Sequence, residues 1–206
     1  MIDLQQLASG LVLNQPMRAA IFDNLLSTEI QQQLISTYPE DGFTKNQRLQ
    51  PPGKLYSFSM LQLVDNGKLT QPMKNELWAD LIDSLLDQQY RERLAEVLSI
   101  DLSDARINIG LYQFDKDDYV DIHLDHDNKL VTQLFYFNTD WAVNDGGFLH
   151  LLKNEQQTSS FLRLPPISMY SVAIVRSDSA WHAVEPVTAL NGRSRLSLQL
   201  EFYKRD

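Results

Sequence analysis

The sequence predicts a mainly β fold with helices at its N-terminal end, arranged as a double-sheet jelly roll. Two observations carry this expectation. Apolar residues recur at helical spacing up to about residue 100 and alternate with a period of two beyond it. The alternating segments are numerous and short, and turn signals separate them, as in a jelly roll.

The helical part comes first. Thr28-Glu29-Ile30-Gln31 reads as a capping box, with Thr28 capping forward and Gln31 reaching back to the cap amide. Ile30, Leu34 and Tyr38 follow at helical spacing, and Pro39 stops the run. After Pro72, Leu77, Leu81 and Leu85 form one apolar stripe, which Leu94 and Leu98 continue past a polar break at Asp87–Gln89. Two helices packed as a support layer are expected there. The segment 42–64, with Pro51-Pro52-Gly53 and several aromatics, reads as a loop with a strand.

Period-two alternation begins at Arg106. In Arg106–Phe114, Ile107, Ile109 and Leu111 point one way, and Asn108, Gly110, Tyr112 and Phe114 point the other. Further strands are expected at Val131–Asn138, Phe148–Leu152, Ser160–Leu164, Met169–Val175 and Arg195–Tyr203, all rich in β-branched and aromatic residues. Asn144-Asp145-Gly146-Gly147, Pro165-Pro166 and Asn191-Gly192 are the turns between them. The chain thus divides into a mostly helical support region, 1–104, and a β core, 105–206, within a length usual for one domain.

Composition narrows the chemistry. With 43% apolar residues the chain can bury a sizeable core. A net charge of −9 and no basic patch argue against a nucleic-acid partner, and the acidity reads first as solubility. Without cysteine there are no disulfides, thiolate metal sites or cysteine nucleophiles, so a metal must be held by His, Asp, Glu or backbone oxygen. No apolar run approaches a membrane span and the N-terminus lacks a signal-peptide pattern, so the expected location is the cytoplasm, with no membrane partner.

Asp121-Ile122-His123-Leu124-Asp125 holds His-x-Asp. On a strand, two residues separated by one face the same side, so His123 and Asp125 can converge on one ion. His182 stands downstream in Ser179-Ala180-Trp181-His182-Ala183-Val184. Two histidines and one carboxylate make the facial triad of non-haem iron(II) oxygenases, which leaves adjacent positions open. A 2-oxo acid can chelate two of these and dioxygen take another. Any one of these histidines taken singly reads as an ordinary core or surface residue; the arrangement is what speaks for a metal.

Arg195 opens an alternating strand whose apolar face is Leu196, Leu198, Leu200 and Phe202, so Arg195 and Ser197 share the other face. A guanidinium fork beside a hydroxyl suits a carboxylate. A solvated arginine at a strand start is the plain alternative. Arg193 has the same parity and stays open as the anchor. Arg195 is preferred because it directly precedes the alternation, whereas Arg193 sits in the Asn191-Gly192 turn.

With these pieces in order, the stretch 108–202 resembles the prolyl-4-hydroxylase-like branch of the 2-oxoglutarate/iron(II) dioxygenases. The matching motifs are Tyr119-Val120-Asp121-Ile122-His123-Leu124-Asp125, Leu134-Phe135-Tyr136-Phe137-Asn138-Thr139-Asp140-Trp141, Asp145-Gly146-Gly147-Phe148-Leu149, His182-Ala183-Val184-Glu185-Pro186-Val187 and Arg195-Leu196-Ser197-Leu198. The first hundred residues carry no such motif. The resemblance implies a double-stranded β-helix, a jelly roll, with helices packed on one sheet. It implies iron(II) held by His123, Asp125 and His182, with 2-oxoglutarate and dioxygen as cosubstrates. Arg195, Ser197 and Tyr136 would then hold the far carboxylate of 2-oxoglutarate, and Tyr112 would line its pocket. Because Asp125 supplies a carboxylate where halogenating relatives carry a small residue, hydroxylation is expected. Gly146-Gly147 would provide a tight entry into the next strand.

The expected substrate is a small molecule or peptide: an amino-acid-like compound or a peptidyl proline. A metal hydrolase and a non-catalytic binding module on the same fold are the other readings. A dicarboxylate pocket argues against the first and an intact triad against the second. His126, His150 and Trp181 are expected to pack or face solvent. Asp115, Asp117, Asp118, Asp121 and Asp127 read first as a solvated acidic loop, and second as an attraction for cationic substrates.

Overall fold

The computed structural model describes residues 1–73, 75–190 and 192–205. Its helices are α1 (Leu4–Ala8), α2 (Thr28–Ser36), α3 (Glu76–Leu86) and α4 (Gln88–Leu98). Its strands are β1 (Leu11–Leu13), β2 (Ala19–Asp23), β3 (Thr44–Arg48), β4 (Tyr56–Asp65), β5 (Lys68–Leu69), β6 (Arg106–Phe114), β7 (Tyr119–His123), β8 (Lys129–Tyr136), β9 (Leu149–Leu152), β10 (Ser160–Leu164), β11 (Tyr170–Val175), β12 (Trp181–Val184) and β13 (Arg195–Tyr203). Among the described residues no helix is long and apolar enough to cross a membrane.

The helices form where apolar spacing predicts them, and local capping sets their ends. The cap of α2 is Ser27, one residue before the expected Thr28: its extended backbone lets Oγ accept from the Ile30 amide at 3.4 Å. Gln31 reaches back past the cap and donates to the Leu26 carbonyl at 2.9 Å. Asp87 ends α3 and starts α4, accepting from the Gln89 amide at 2.7 Å, which accounts for the polar break in the stripe. Leu81, Leu85, Leu94 and Leu98 are fully buried against the sheet.

The region 1–104 is less helical than its spacing predicts, because it also supplies β1 to β5. The segment 42–64 contains two strands, β3 and most of β4. Their apolar alternation is weak because β3, Thr44–Arg48, is almost wholly exposed.

The strands form one antiparallel sheet in the order β1-β2-β11-β8-β13-β6-β4-β7-β12-β9-β10. β4 makes the bend. Its residues Ser59–Val64 pair with β6, while Tyr56 and Ser57 pair with β7. The sheet therefore curls, with one core outside it and another within. Ile107, Ile109 and Leu111 of β6 join the helices in the outer core. Tyr112 and Phe114 enter the inner core with Tyr136, Leu149 and Val184. This is the division that the parity of 106–114 predicts. Of the expected turn Asn191-Gly192, Asn191 lies outside the described residues and Gly192 has φ of 72°.

Candidate active site

β7 and β12 pair with His123 directly opposite His182, and their rings lie 4.1 Å apart between centroids. Asp125 joins them by a different route from the one expected. β7 ends at His123, so strand parity does not place Asp125; it stands in the loop before β8. There Thr132 Oγ1 donates to its Oδ2 at 2.8 Å and Lys129 Nζ donates to Oδ1 at 3.1 Å. Oδ1 then lies 3.8 Å from His123 Nε2 and 4.0 Å from His182 Nε2. The three donor atoms lie within 4.8 Å of one another.

Backbone carbonyls set both imidazoles. His123 Nδ1 donates to Asp121 O at 2.8 Å and His182 Nδ1 donates to Ala180 O at 2.9 Å. Each Nε2 therefore keeps its lone pair toward Asp125, the arrangement a metal-binding histidine needs. Burial holds both imidazoles below their ordinary value, so they are neutral donors. Burial alone would raise Asp125, but the Lys129 ammonium and the Thr132 hydrogen bond outweigh it and keep the carboxylate ionised. Two neutral imidazoles and one carboxylate within reach of a single point fit an iron(II) facial triad.

Arg195 is fully buried at the start of β13. Its guanidinium lies 4.7 Å from the Phe114 ring centroid and 5.2 Å from that of Tyr136. Nη1 donates to Ser197 Oγ at 3.3 Å, while among the described residues Nε, Nη2 and the buried Tyr136 hydroxyl find no hydrogen-bond partner. Burial pushes this guanidinium below its ordinary value. A desolvated cation with unsatisfied donors is costly unless an anion meets it. The donor set of Arg195, Ser197 and Tyr136 fits a carboxylate. Arg193 is 39% exposed in its side chain and clasps Asp140 and Asp145 in the loop outside.

A cavity of about 660 Å³ opens on the triad and reaches Phe114, the ring that covers Arg195. His123, Asp125 and His182 line one side, and Tyr56, Phe58, Tyr112 and Phe114 line another. The residues that sequence reasoning missed are Thr132, Lys129 and Glu201, which brace Asp125, and Lys54 on the cavity wall. A lysine and a threonine within the mostly apolar run 129–136 were the available signal.

The acidic run does not face this cavity. Asp118 is buried against Lys45 and Ser57, Asp115 accepts from Ser194 at 2.6 Å, and Asp127 pairs with Arg176. For Asp115, Asp118 and Asp127 the reading as an attraction for cations gives way to one in which the carboxylates brace loops. His126 is exposed at the cavity rim, and Trp181 is half-buried. His150 is buried between Ser160 and Glu185, away from the triad.

Residues 109–203 match the 2OG-Fe(II) oxygenase superfamily. That span contains every residue of the triad and of the arginine pocket. The chain is a 2-oxoglutarate-dependent dioxygenase, an oxidoreductase whose family uses iron(II), 2-oxoglutarate and dioxygen. Among curated protein sequences none matches it. Among solved structures it resembles a Pseudomonas putida prolyl-4-hydroxylase, at 18% identity and a TM-score of 0.70, over 97% of this chain and 100% of that one. It also resembles a 2OG-Fe(II) oxygenase family oxidoreductase from Burkholderia pseudomallei, at 13% identity and a TM-score of 0.66, over 99% and 92%. A third likeness is to a Trichoplax adhaerens prolyl hydroxylase, solved in complex with a hypoxia inducible factor oxygen degradation domain peptide fragment. There the identity is 18% and the TM-score 0.64, over 98% and 89%. At these identities the likeness is one of fold.

Proposed function

We propose that this chain is a single dioxygenase domain that hydroxylates an unactivated C–H bond of an amino-acid-like or peptidyl-proline substrate. In this reading the curled sheet is a double-stranded β-helix, with 105–206 as its core and 1–104 as its support. His123, Asp125 and His182 hold iron(II). Arg195, Ser197 and Tyr136 hold the far carboxylate of 2-oxoglutarate, and Tyr112 lines the pocket. When bound, the metal and cosubstrates supply the oxidation: one oxygen atom of O2 enters the C–H bond, and the other enters succinate as CO2 leaves.

The chain's own residues bind, orient and exclude water. Asp121 O and Ala180 O fix the two imidazole tautomers, and Thr132 and Lys129 fix the carboxylate. Phe114 and Tyr136 wall the guanidinium from water, so its attraction for a carboxylate is little screened. The observation that carries the reading is the buried Arg195, with its unsatisfied donors, set against Phe114, whose ring lines the triad's cavity. A hydrolase has no use for that pocket. The test is succinate formation from 2-oxoglutarate with iron(II), with and without a chelator. Succinate that requires iron supports the reading, and its absence overturns it.

A further inference from the structure

We propose that the prime substrate is a small free carboxylic acid of amino-acid size, whose carboxylate is held by Lys54 with Arg48 beside it. The inference rests on the dioxygenase reading above and names the substrate class of that site.

The first argument is charge. Two of the cations lining the cavity differ sharply in their partners. Lys129 is buried and paired, donating to Glu201 at 2.6 Å and Asp125 at 3.1 Å. Lys54 is half-buried on the same cavity, yet among the described residues it has no ion pair or hydrogen bond. Its ammonium lies 5.7 Å from the centroid of the Tyr56 ring. Burial lowers its pKa. Lys54 thus shares the cavity with His123, Asp125 and His182 and is half-buried there. Arg48 lines the same wall and has no ion pair among the described residues. Its Nη1 packs on Gly53, where a Cβ would come within 2.7 Å. Two unpaired cations around one short loop suit one anionic group.

The second argument is shape. Tyr56 and Phe58 stack at 5.4 Å, and Phe58 meets Tyr112 at 5.3 Å and Phe114 at 5.6 Å. This aromatic wall runs from Lys54 to the ring that covers Arg195. A ligand with its carboxylate at Lys54 lays its C–H body along these rings and beside the histidines. The cavity must also take 2-oxoglutarate, which leaves space for a small molecule. A residue inside a peptide chain offers no main-chain carboxylate at this point.

The test uses the whole chain with iron(II) and 2-oxoglutarate. A panel of free L-amino acids, each paired with its carboxamide, is read for mass gain of one oxygen. For the acid that reacts, KM and kcat are compared in wild type, Lys54→Met and Lys54→Arg, and thermal unfolding checks that each variant folds. The expected result is oxygenation of an acid but not its amide. Lys54→Met should raise the KM for that acid roughly tenfold or more, as loss of a charged hydrogen bond implies. The kcat and the 2-oxoglutarate KM should hold, and Lys54→Arg should recover most of the affinity. Equal use of the amide, oxygenation only within peptides, or a Lys54→Met effect confined to 2-oxoglutarate overturns the proposal. Succinate formed without any prime substrate separates the two levels. If it forms and no acid is oxygenated, this proposal alone falls; if neither succinate nor any oxygenated product forms, the dioxygenase reading falls as well.

Discussion

Arg195 Nη1 donates to Ser197 Oγ at 3.3 Å, and this is the one hydrogen bond of that buried guanidinium among the described residues. The two residues share a strand face, and both pair across the sheet with β6, opposite Phe114 and Tyr112. Arg195→Ala should therefore remove the anchor of 2-oxoglutarate. Losing one partner of a desolvated charge pair costs on the order of 2–5 kcal/mol, so the cosubstrate requirement should rise about a hundredfold or more. Iron affinity should be nearly unchanged. Arg193→Ala should do little, since its partners are the exposed Asp140 and the half-buried Asp145, both outside the Arg195 pocket. Cosubstrate titration of both variants checks this, and a large loss confined to Arg193→Ala would move the anchor there.

Thr132 supports the metal site through a single hydrogen bond to Asp125 Oδ2. Thr132→Val keeps the volume and removes that bond. Iron affinity should fall roughly tenfold to a hundredfold, the usual effect of losing a partner behind a ligand. His182→Ala should abolish iron binding with the fold retained. Direct iron titration distinguishes them, and unchanged affinity in Thr132→Val would show that Lys129 alone orients the carboxylate.

Much of this site was legible in the sequence because strand parity is a strict rule. Arg195 and Ser197 share a face, and Tyr112 and Phe114 point inward from β6, as alternation requires. Parity failed where the strand stopped. Asp125 stands beyond β7, and its position depends on Lys129 and Thr132 of the next strand, a tertiary contact that spacing does not encode. The short strands β1 and β5 were also hidden. Each has three residues or fewer, and each takes its conformation from a single neighbour, β2 or β4. Ser27 was missed as a cap because Thr28, the next residue, has equal capping chemistry and only the backbone angles decide between them.

Glu185 gives a pH-dependent contribution to stability away from the metal. Burial alone would raise its pKa, but Arg163, at 2.6 and 3.0 Å, and His150 outweigh it and bring the value below the ordinary 4.5. A carboxylate depressed on folding stabilises above its unfolded pKa, and that stabilisation is lost as pH falls through the folded value. Glu185→Gln should therefore cost about 1 kcal/mol at most near neutrality, since Arg163 is 36% exposed and partly screened. The difference from wild type should vanish in acid. Denaturant melts of both proteins from neutral to acidic pH measure it, and a difference that persists in acid would assign the loss to packing.

Gly146 holds the approach to β9 in a conformation that no other residue adopts without strain. Its φ is 64° and its ψ −153°, and a Cβ there would lie 2.1 Å from Pro186 O and 2.9 Å from Thr188 Oγ1. The contact cannot relax cheaply. Trp141 Nε1 donates to Gly146 O at 2.7 Å, and the Thr188 amide donates to Asp145 O at 2.7 Å, tying this turn to the segment after β12. Gly146→Ala must break that clasp or keep the strain, and it should cost about 1–3 kcal/mol or more. Melting should fall by several degrees, at roughly 2–4 °C per kcal/mol for a chain of this size. Gly192 is the control, because it has a similar φ of 72° with nothing within 4 Å of its Cβ site, so Gly192→Ala adds left-handed strain alone. Gly147→Ala adds a third outcome. Its Cβ would come within 3.3 Å of Arg195 Cδ and 3.0 Å of Val187 Cγ2, so it should raise the 2-oxoglutarate requirement as well as lower the melting point. If Gly146→Ala and Gly192→Ala destabilise equally, the close approach of Pro186 contributes nothing and the strain is purely local.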